Sequence, residues 1–324
     1  MRQNEPLAIG FDIGGSQTKI GLVDRRGNIL SRRSFPTRVQ EGGLEPFLTQ
    51  LQAEIRSVLK AAPNSLLGIG ATFLGWINEA RTGPIFCLNA PALHGFNIKQ
   101  FIEDEFHLPV VVHDDVTAHL MAEYTFGSGR GIDRFMCLAM GTGLGAGVII
   151  HGIPLDFTGG CAGDTGHVLL RPGGPACSSG CKGCAEALIG VAGIERLAFQ
   201  KYGQPKPAQE IIKSASEVSD PIAIEVMKEI GFYTGELLAS LSSIFLPERI
   251  ALTGGTARAG RVLLQATRER FEFLVGDYHR TFSKLSHGEH PGVEIVLGEM
   301  QGETGVIGAV VDLFKPKSPE RKVV

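Results

Sequence analysis

A pattern that occurs twice limits what this chain can fold into. Near its start, Ile9-Gly10-Phe11-Asp12-Ile13 is an apolar run interrupted by one carboxylate, and Gly14 and Gly15 then turn the backbone. Ser16-Gln17-Thr18-Lys19 leads into a second apolar run through Ile20, Leu22 and Val23, with Gly21 between them. This reads as strand, tight turn and strand, with an acid at the strand tip and bare backbone N–H groups beside it. Small residues in such a turn let N–H groups approach phosphate oxygens, and a nearby Asp can hold Mg²⁺ directly or through water. The pattern returns as the apolar run Phe135 to Met140, the turn Gly141-Thr142-Gly143-Leu144-Gly145, and the apolar run Ala146 to Ile150. Two such units predict two related halves that close on one nucleotide.

The chain is long enough, at 324 residues, for one large domain or two of ordinary size. Its 43% hydrophobic content can fill substantial cores, and a formal charge of −3 offers no basic surface for nucleic acid or anionic membrane. The first apolar segment is soon broken by Asp12 and two glycines, a poor signal peptide. No apolar stretch approaches the roughly 20 residues that span a bilayer. A cytoplasmic setting, with neither nucleic-acid nor membrane partners, is therefore expected. In that setting the clustered Cys177, Cys181 and Cys184 favour a metal over disulfides. Cys87 and Cys137 lie in apolar runs and read as small buried side chains.

Periodicity fills in the rest. Asn28 to Phe35 extends the first ribbon, Leu44 to Leu59 is an amphipathic helix, and Leu66 to Ala71 is a buried strand. Thr72 to Ala80 is irregular. A short helix over Asn97 to Phe106 precedes the strand Pro109 to His113, which runs out on Asp114-Asp115, and a helix follows over Val116 to Phe126. After the repeated ribbon, helices are predicted over 185–200, 207–217 and 220–246, then a strand from Arg249 that enters a turn at Gly254-Gly255. A helix from about Gly260 to Phe273, a strand over Val293 to Leu297 and a helix over Glu303 to Phe314 close the chain. Alternating strands and helices in two similar halves indicate an α/β fold.

Asp115 is the leading catalytic candidate. At the join of a buried strand and a helix, its carboxylate could orient a substrate hydroxyl and accept its proton during phosphoryl transfer. The competing reading is a helix cap, but two adjacent acids cannot both cap, which frees one of Asp114 and Asp115. Gly141, Thr142 and Gly143 could hold phosphates through N–H groups and a hydroxyl, and Gly254-Gly255 could let an adenosine ring lie against bare backbone. His167, Cys177, Cys181 and Cys184 make a plausible tetrahedral zinc set, with Gly180 and Gly183 turning the loop. A metal-free thiol cluster is the alternative. Such a zinc would be structural, fixing Glu186 two residues beyond Cys184. His113, His119 and His151 show no partner in the sequence and read as surface or core-satisfied residues.

Together these residues resemble the ROK family of sugar kinases and repressors, within the actin/hexokinase-like ATPase superfamily. The resemblance runs from Ile9 to about Val311. Its most specific part is Gly163-Asp164-Thr165-Gly166-His167 followed by Gly174-Pro175-Ala176-Cys177-Ser178-Ser179-Gly180-Cys181-Lys182-Gly183-Cys184-Ala185-Glu186. It implies two ribonuclease H-like domains around a central nucleotide and sugar cleft: residues 1–127, rejoined by helix 303–314, and residues 128–302. It implies Asp115 as general base, with Gly75, Asp114, Asp164, His167 and Glu186 facing the sugar. Asp12, Gly14, Gly15, Thr18, Lys19, Gly141, Thr142, Gly143, Gly254 and Gly255 would lie along the nucleotide. ATP, Mg²⁺ and structural Zn²⁺ would be the cofactors, and a homodimer the assembly.

Several positions depart from the family's pattern. Asp114 stands where Asn is usual and Asp164 where Glu is usual, and Ser179 takes the place of the zinc loop's middle cysteine, with Cys181 two residues on. In Pro91-Ala92-Leu93-His94-Gly95-Phe96, Ala92 and Phe96 replace Asn and Trp. An extra anion at Asp114 would favour an amino sugar or an unusual hydroxyl pattern. The expected activity is ATP-dependent phosphorylation of a hexose or hexosamine, glucokinase-like and at the 6-hydroxyl. One alternative is a repressor, but only eleven residues precede Asp12, too few for a DNA-reading helix pair. The other is a catalytically altered sugar-binding or regulatory protein without a DNA-binding domain, and a retired site has no physical need for a base at Asp115.

Overall fold

The computed structural model of the protein describes residues 5–14, 17–37, 39, 43–62, 66–87, 90–157, 163–287, 289–300 and 302–315. Gly15 and Cys161 lie outside the described residues. The chain divides into two compact units, one of residues 1–126, 156–161 and 303–324, the other of 127–155 and 162–302.

In the first unit, β1 (Leu7–Ile13), β2 (Gln17–Asp24) and β3 (Ile29–Pro36) form an antiparallel ribbon. Helix α1 (Leu44–Ala61) buries Phe47, Leu48, Leu51, Ile55 and Val58 at helical spacing. It returns the chain to β4 (Leu66–Phe73), parallel to β1. The segment expected to be irregular instead extends β4 to Phe73 and builds a small ribbon, β5 (Trp76–Ile77) with β6 (Pro84–Phe86). Helix α2 (Ile98–Phe106), capped by the Asn97 side chain, leads to β7 (Val110–Asp114) and α3 (Asp115–Phe126). The sheet order is β3-β2-β1-β4-β7.

The second unit repeats the plan with β8 (Arg134–Met140), β9 (Leu144–Ile150) and β10 (Ile153–Pro154). Helices α4 (Ala185–Ile189), α5 (Val191–Tyr202), α6 (Ala208–Ser216) and α7 (Pro221–Phe245) precede β11 (Arg249–Thr253). Then come α8 (Arg261–Leu285) and β12 (Glu294–Leu297), in the order β10-β9-β8-β11-β12. Each sheet therefore carries three antiparallel strands and two parallel ones, in the same succession. The helix expected over 185–200 is interrupted by the extended backbone of Gly190. Helix α8 runs well past Phe273, because Phe271, Val275 and His279 continue the inward-facing face at i, i+4 and i+8. Among the described residues, no helix is long and apolar enough to cross a membrane.

The expected closing helix is two, α9 (Thr304–Ala309) and α10 (Val311–Phe314), and both belong to the first unit. They explain the composition of β1. Successive strand residues face opposite sides. Leu7, Ile9, Phe11 and Ile13 enter the main core with Leu51, Ile55 and Ile69, whereas Ala8 meets Val306 and Ala309 on the other side. On that side Gly21, Gly10 and Gly70 stand in register across β2, β1 and β4. A Cβ on Gly10 would lie 2.1 Å from the carbonyl oxygen of Val306, and one on Gly70 2.1 Å from that of Ala309. From α9 itself, a Cβ on Gly308 would come within 1.9 Å of the Ala118 carbonyl oxygen on α3. These are backbone-on-backbone contacts that admit no side chain. Gly70→Ala and Gly308→Ala should each cost about 1–3 kcal/mol or more through overpacking. Denaturant unfolding would check this, and wild-type midpoints would contradict the packing described.

Candidate active site

In the first unit, Asp12 shares the face of β1 occupied by Ala8 and Gly10, so it points at the start of α9. A Cβ on Gly305 would stand 2.5 Å from the Asp12 carboxyl carbon, so glycine there leaves room for the acid. Lys19, directly across on β2, places Nζ 3.9 Å from Asp12 Oδ2. Thr72, directly across on β4, places Oγ1 3.5 Å from Oδ1. Burial raises the Asp12 pKa against the opposing pull of Lys19. A desolvated carboxylate with a hydroxyl beside it is a hard-oxygen environment of the kind Mg²⁺ takes.

Strand β7 ends at Asp114, and α3 begins on Asp115. The two acids divide the roles between them. Asp114 is the cap: it is buried, Oδ1 accepts from the Thr117 amide at 2.8 Å, and Oδ2 accepts from the Thr117 hydroxyl at 2.5 Å. Both oxygens are thus engaged inside the protein, whereas the resemblance implied a sugar-facing group. Asp115 is the free acid, partly exposed at the first position of the helix. Burial, reinforced by the charges of Asp114 and Asp12, pushes its pKa up to about 8. Burial likewise raises Asp114 to about 6 against its bonds from Thr117.

The first turn is closed by the Gly14 amide donating to Gln17 at 3.1 Å. Thr18 is fully buried, with its hydroxyl 3.0 Å from that of Thr37, which in turn donates to the Gly14 carbonyl. Its side chain therefore braces the turn from inside. Gly75 has φ of +125° and lies against the Phe86 carbonyl, where a Cβ would be 2.2 Å away.

In the second unit the Gly141 amide donates to Gly143 at 3.0 Å, closing a turn that leaves Thr142 exposed. The Gly141 carbonyl accepts from Val191, the first residue of α5, at 3.2 Å. Here the break at Gly190 acquires its reason: a Cβ on Gly190 would meet the Thr142 carbonyl at 3.2 Å. Glu186 accepts from the Leu144 amide at 3.2 Å, binding α4 to the same turn. Gly254 has φ of +85° and presses on the Met140 backbone, while around Gly255 a Cβ would meet nothing within 4 Å.

The cysteine loop converges. Ligand atoms of His167, Cys177 and Cys181 all lie within 4.8 Å of one another. Nδ1 of His167 is 3.8 Å from Cys177 Sγ, and its Nε2 is 3.6 Å from Asp164. The buried Cys184 stands outside this trio of ligand atoms but hydrogen-bonds the Cys177 thiol. Gly183, with φ of +79°, passes so near Arg171 that no other residue fits. Nitrogen and thiolate donors at this spacing suit Zn²⁺.

Two residues at the site, Thr72 and Gly305, carry no mark in the sequence, and a third, His119, reads there as a surface or core-satisfied residue. Thr72, Gly305 and His119 sit by Asp12 or Asp115 through strand register and helix packing. Only His119, four residues after Asp115, left a local signal. His113 instead lies 3.4 Å from Asp312, and His151 is an exposed partner of Asp133 at 2.6 Å.

The ROK family profile matches residues 8–315. A glucokinase of Halalkalibacterium halodurans is 30% identical over 82% of this chain and 84% of its own length. Among solved structures, a ROK family glucokinase from Streptomyces griseus, in complex with glucose and AMPPNP, is 28% identical and superposes with a TM-score of 0.79 over 95% of this chain and 98% of that one. A ROK hexokinase from Thermus thermophilus is 28% identical with a TM-score of 0.76, over 94% and 97% of the two chains.

The raised Asp115 pKa has a sign that can be measured. Folding holds the proton on, so the stability of the protonated acid is complete below the ordinary value of 3.8 and is lost as pH rises through about 8. Asp115→Asn should therefore melt higher than wild type at pH 9, with the gap closing towards pH 4. A constant gap across that range would show that Asp115 is not desolvated as described.

Proposed function

The chain belongs to the ROK family, and from that premise we propose a reaction path on its residues. The protein is an ATP-dependent hexose kinase of the actin-like ATPase fold. The finer reading is transfer of the γ-phosphoryl group to the 6-hydroxyl of a glucose-like hexose, with Asp115 as general base. One observation carries it: Asp115 is the member of the acidic pair not consumed as a cap, and its pKa lies near working pH.

A base must be ionised to accept the hydroxyl proton, yet basic enough to want it. Burial and the neighbouring acids supply the second property. As the sugar oxygen attacks phosphorus, its proton passes to an Asp115 oxygen and the bond to the ADP leaving group breaks. Asp12, helped by Thr72, would hold Mg²⁺, which when bound neutralises phosphate charge. Thr142 and the Gly143 amide would hold phosphate oxygens, while Gly254-Gly255 would accept the adenosine. Glu186 and Asp164 would hydrogen-bond the sugar, and Asp114 would act only through Asp115. His167, Cys177, Cys181 and Cys184 would hold Zn²⁺, with Cys181 serving for the cysteine replaced by Ser179. That zinc would order the sugar wall, taking no part in chemistry. A cytoplasmic homodimer is the setting we envisage. The non-catalytic alternative is disfavoured energetically, because desolvating an acid beside two others costs stability without return unless the acid is used.

Asp115→Asn should lower kcat by roughly 10² to 10⁴ with folding intact. In wild type, kcat/KM for glucose should rise with pH as Asp115 ionises and level off once it is deprotonated, a limb that Asp115→Asn should lack. A coupled ADP-release assay reads both, and normal turnover by the variant would remove the assignment. Elemental analysis should find one zinc per chain, lost in Cys181→Ser. Chelation should raise the KM for sugar before that for ATP.

A further inference from the structure

His119 stands one helical turn beyond Asp115 on α3, so both side chains lie along one face of that helix. Burial, aided by the Lys19 ammonium, lowers its pKa to about 4, leaving a neutral imidazole at working pH. Oγ1 of Thr304, the buried first residue of α9, lies 2.9 Å from Nδ1 and 3.3 Å from Nε2 of the ring. The residues on either side of Thr304 both bear on Asp12. Glu303, 3.8 Å from Arg32, adds negative charge near it, and Gly305 makes the close approach to its carboxylate.

The contact at Gly305 has a physical weakness. A glycine packed against a carboxylate resists compression but exerts no pull, so two desolvated groups can drift apart as water or a cation enters. An attractive polar contact between the Thr304 hydroxyl and the His119 ring supplies the missing restoring force. The bond from Thr304 to His119 runs to the helix that carries the base, not to some remote part of the unit.

We infer that His119 is a positioning residue: through Thr304 it ties the start of α9, and the wall it forms against Asp12, to the helix bearing Asp115, so that the two carboxylates keep one spacing when the nucleotide's metal binds. This rests on the reading of Asp12 as the metal-side acid. His119 touches neither the substrate nor the reacting atoms in this role. Its contribution should appear in the metal dependence of nucleotide binding rather than in sugar affinity.

Calorimetric titration with AMPPNP, with and without Mg²⁺, tests it on the whole protein. In wild type Mg²⁺ should tighten binding. Thr304→Val, which keeps shape and removes the hydroxyl, should lose about tenfold of that tightening, as expected for one hydrogen bond. Metal-free AMPPNP and glucose affinities should stay within about twofold, and Thr304→Ser should restore the effect. Thr304→Val combined with His119→Leu should be no worse than the weaker single variant, because both remove the same contact. Full tightening in Thr304→Val, equal losses with and without Mg²⁺, or additive losses in the double variant would each overturn the proposal. Asp12→Asn separates the two layers. If it leaves the tightening intact, the reading of Asp12 fails and takes this role with it. If it abolishes the tightening while Thr304→Val does not, only the role of His119 fails.

Discussion

The first unit depends on a helix packed so closely on a sheet that at two strand glycines its backbone meets theirs. Gly21, Gly10 and Gly70 form a bare stripe across three strands, and α9 fills it with its backbone at Gly10 and Gly70 and with the Val306 side chain at Gly21. Helix and sheet normally sit apart by the thickness of their side chains. Thinning that layer at the glycines brings the first turn of α9 to the end of β1, where Asp12 stands, and brings Gly308 onto α3, the helix that Asp115 begins. The spacing of the acids is therefore set by glycines in the packing between helix and sheet. Conformational freedom is not what these positions need: Gly10 and Gly70 lie in ordinary strand, and only the absence of a Cβ matters.

Gathering acids in this way is costly. Asp12, Asp114 and Asp115 are all desolvated enough that their protons are held above the usual carboxyl range. Asp114 recovers part of the cost by capping α3 through Thr117, and Asp12 by facing Lys19. Asp115 has the least compensation and the largest displacement of the two values near neutrality. A fold tolerates such a group where its reactivity is used, and the same burial that strains the protein makes the carboxylate basic.

The second unit solves a different problem, the holding of a glycine turn that has little intrinsic rigidity. Its turn at Gly141–Gly143 is anchored from outside, by Val191 at the start of α5 and by Glu186 on α4. Glu186 follows directly on the cysteine loop, where His167, Cys177 and Cys181 converge. Order in that loop is thereby transmitted to the turn through a few covalent bonds and one hydrogen bond. A metal bound there would stiffen the glycine turn as well as the loop.

The duplicated ribbon, the alternation of strands and helices and the family likeness were legible in the chain itself, because strand and turn preferences are local and glycine turns leave plain marks. So was the division of labour between Asp114 and Asp115 as a question, since one cap leaves one acid over. Asp115 was already the candidate base there; that Asp114 is the cap needed coordinates, because it turns on where Thr117 points its amide and hydroxyl. Helix boundaries at Gly190 and Val310 were also hidden, for those breaks answer to carbonyls and packing from elsewhere in the fold. The same holds for His119. Its partner Thr304 is far away in sequence, and nothing local marks a hydrogen bond between two helices. Local propensity determined the elements and the candidate acids. Tertiary packing alone decided their spacing, their protonation and their partners, because desolvation and close approach exist only once distant segments are brought together.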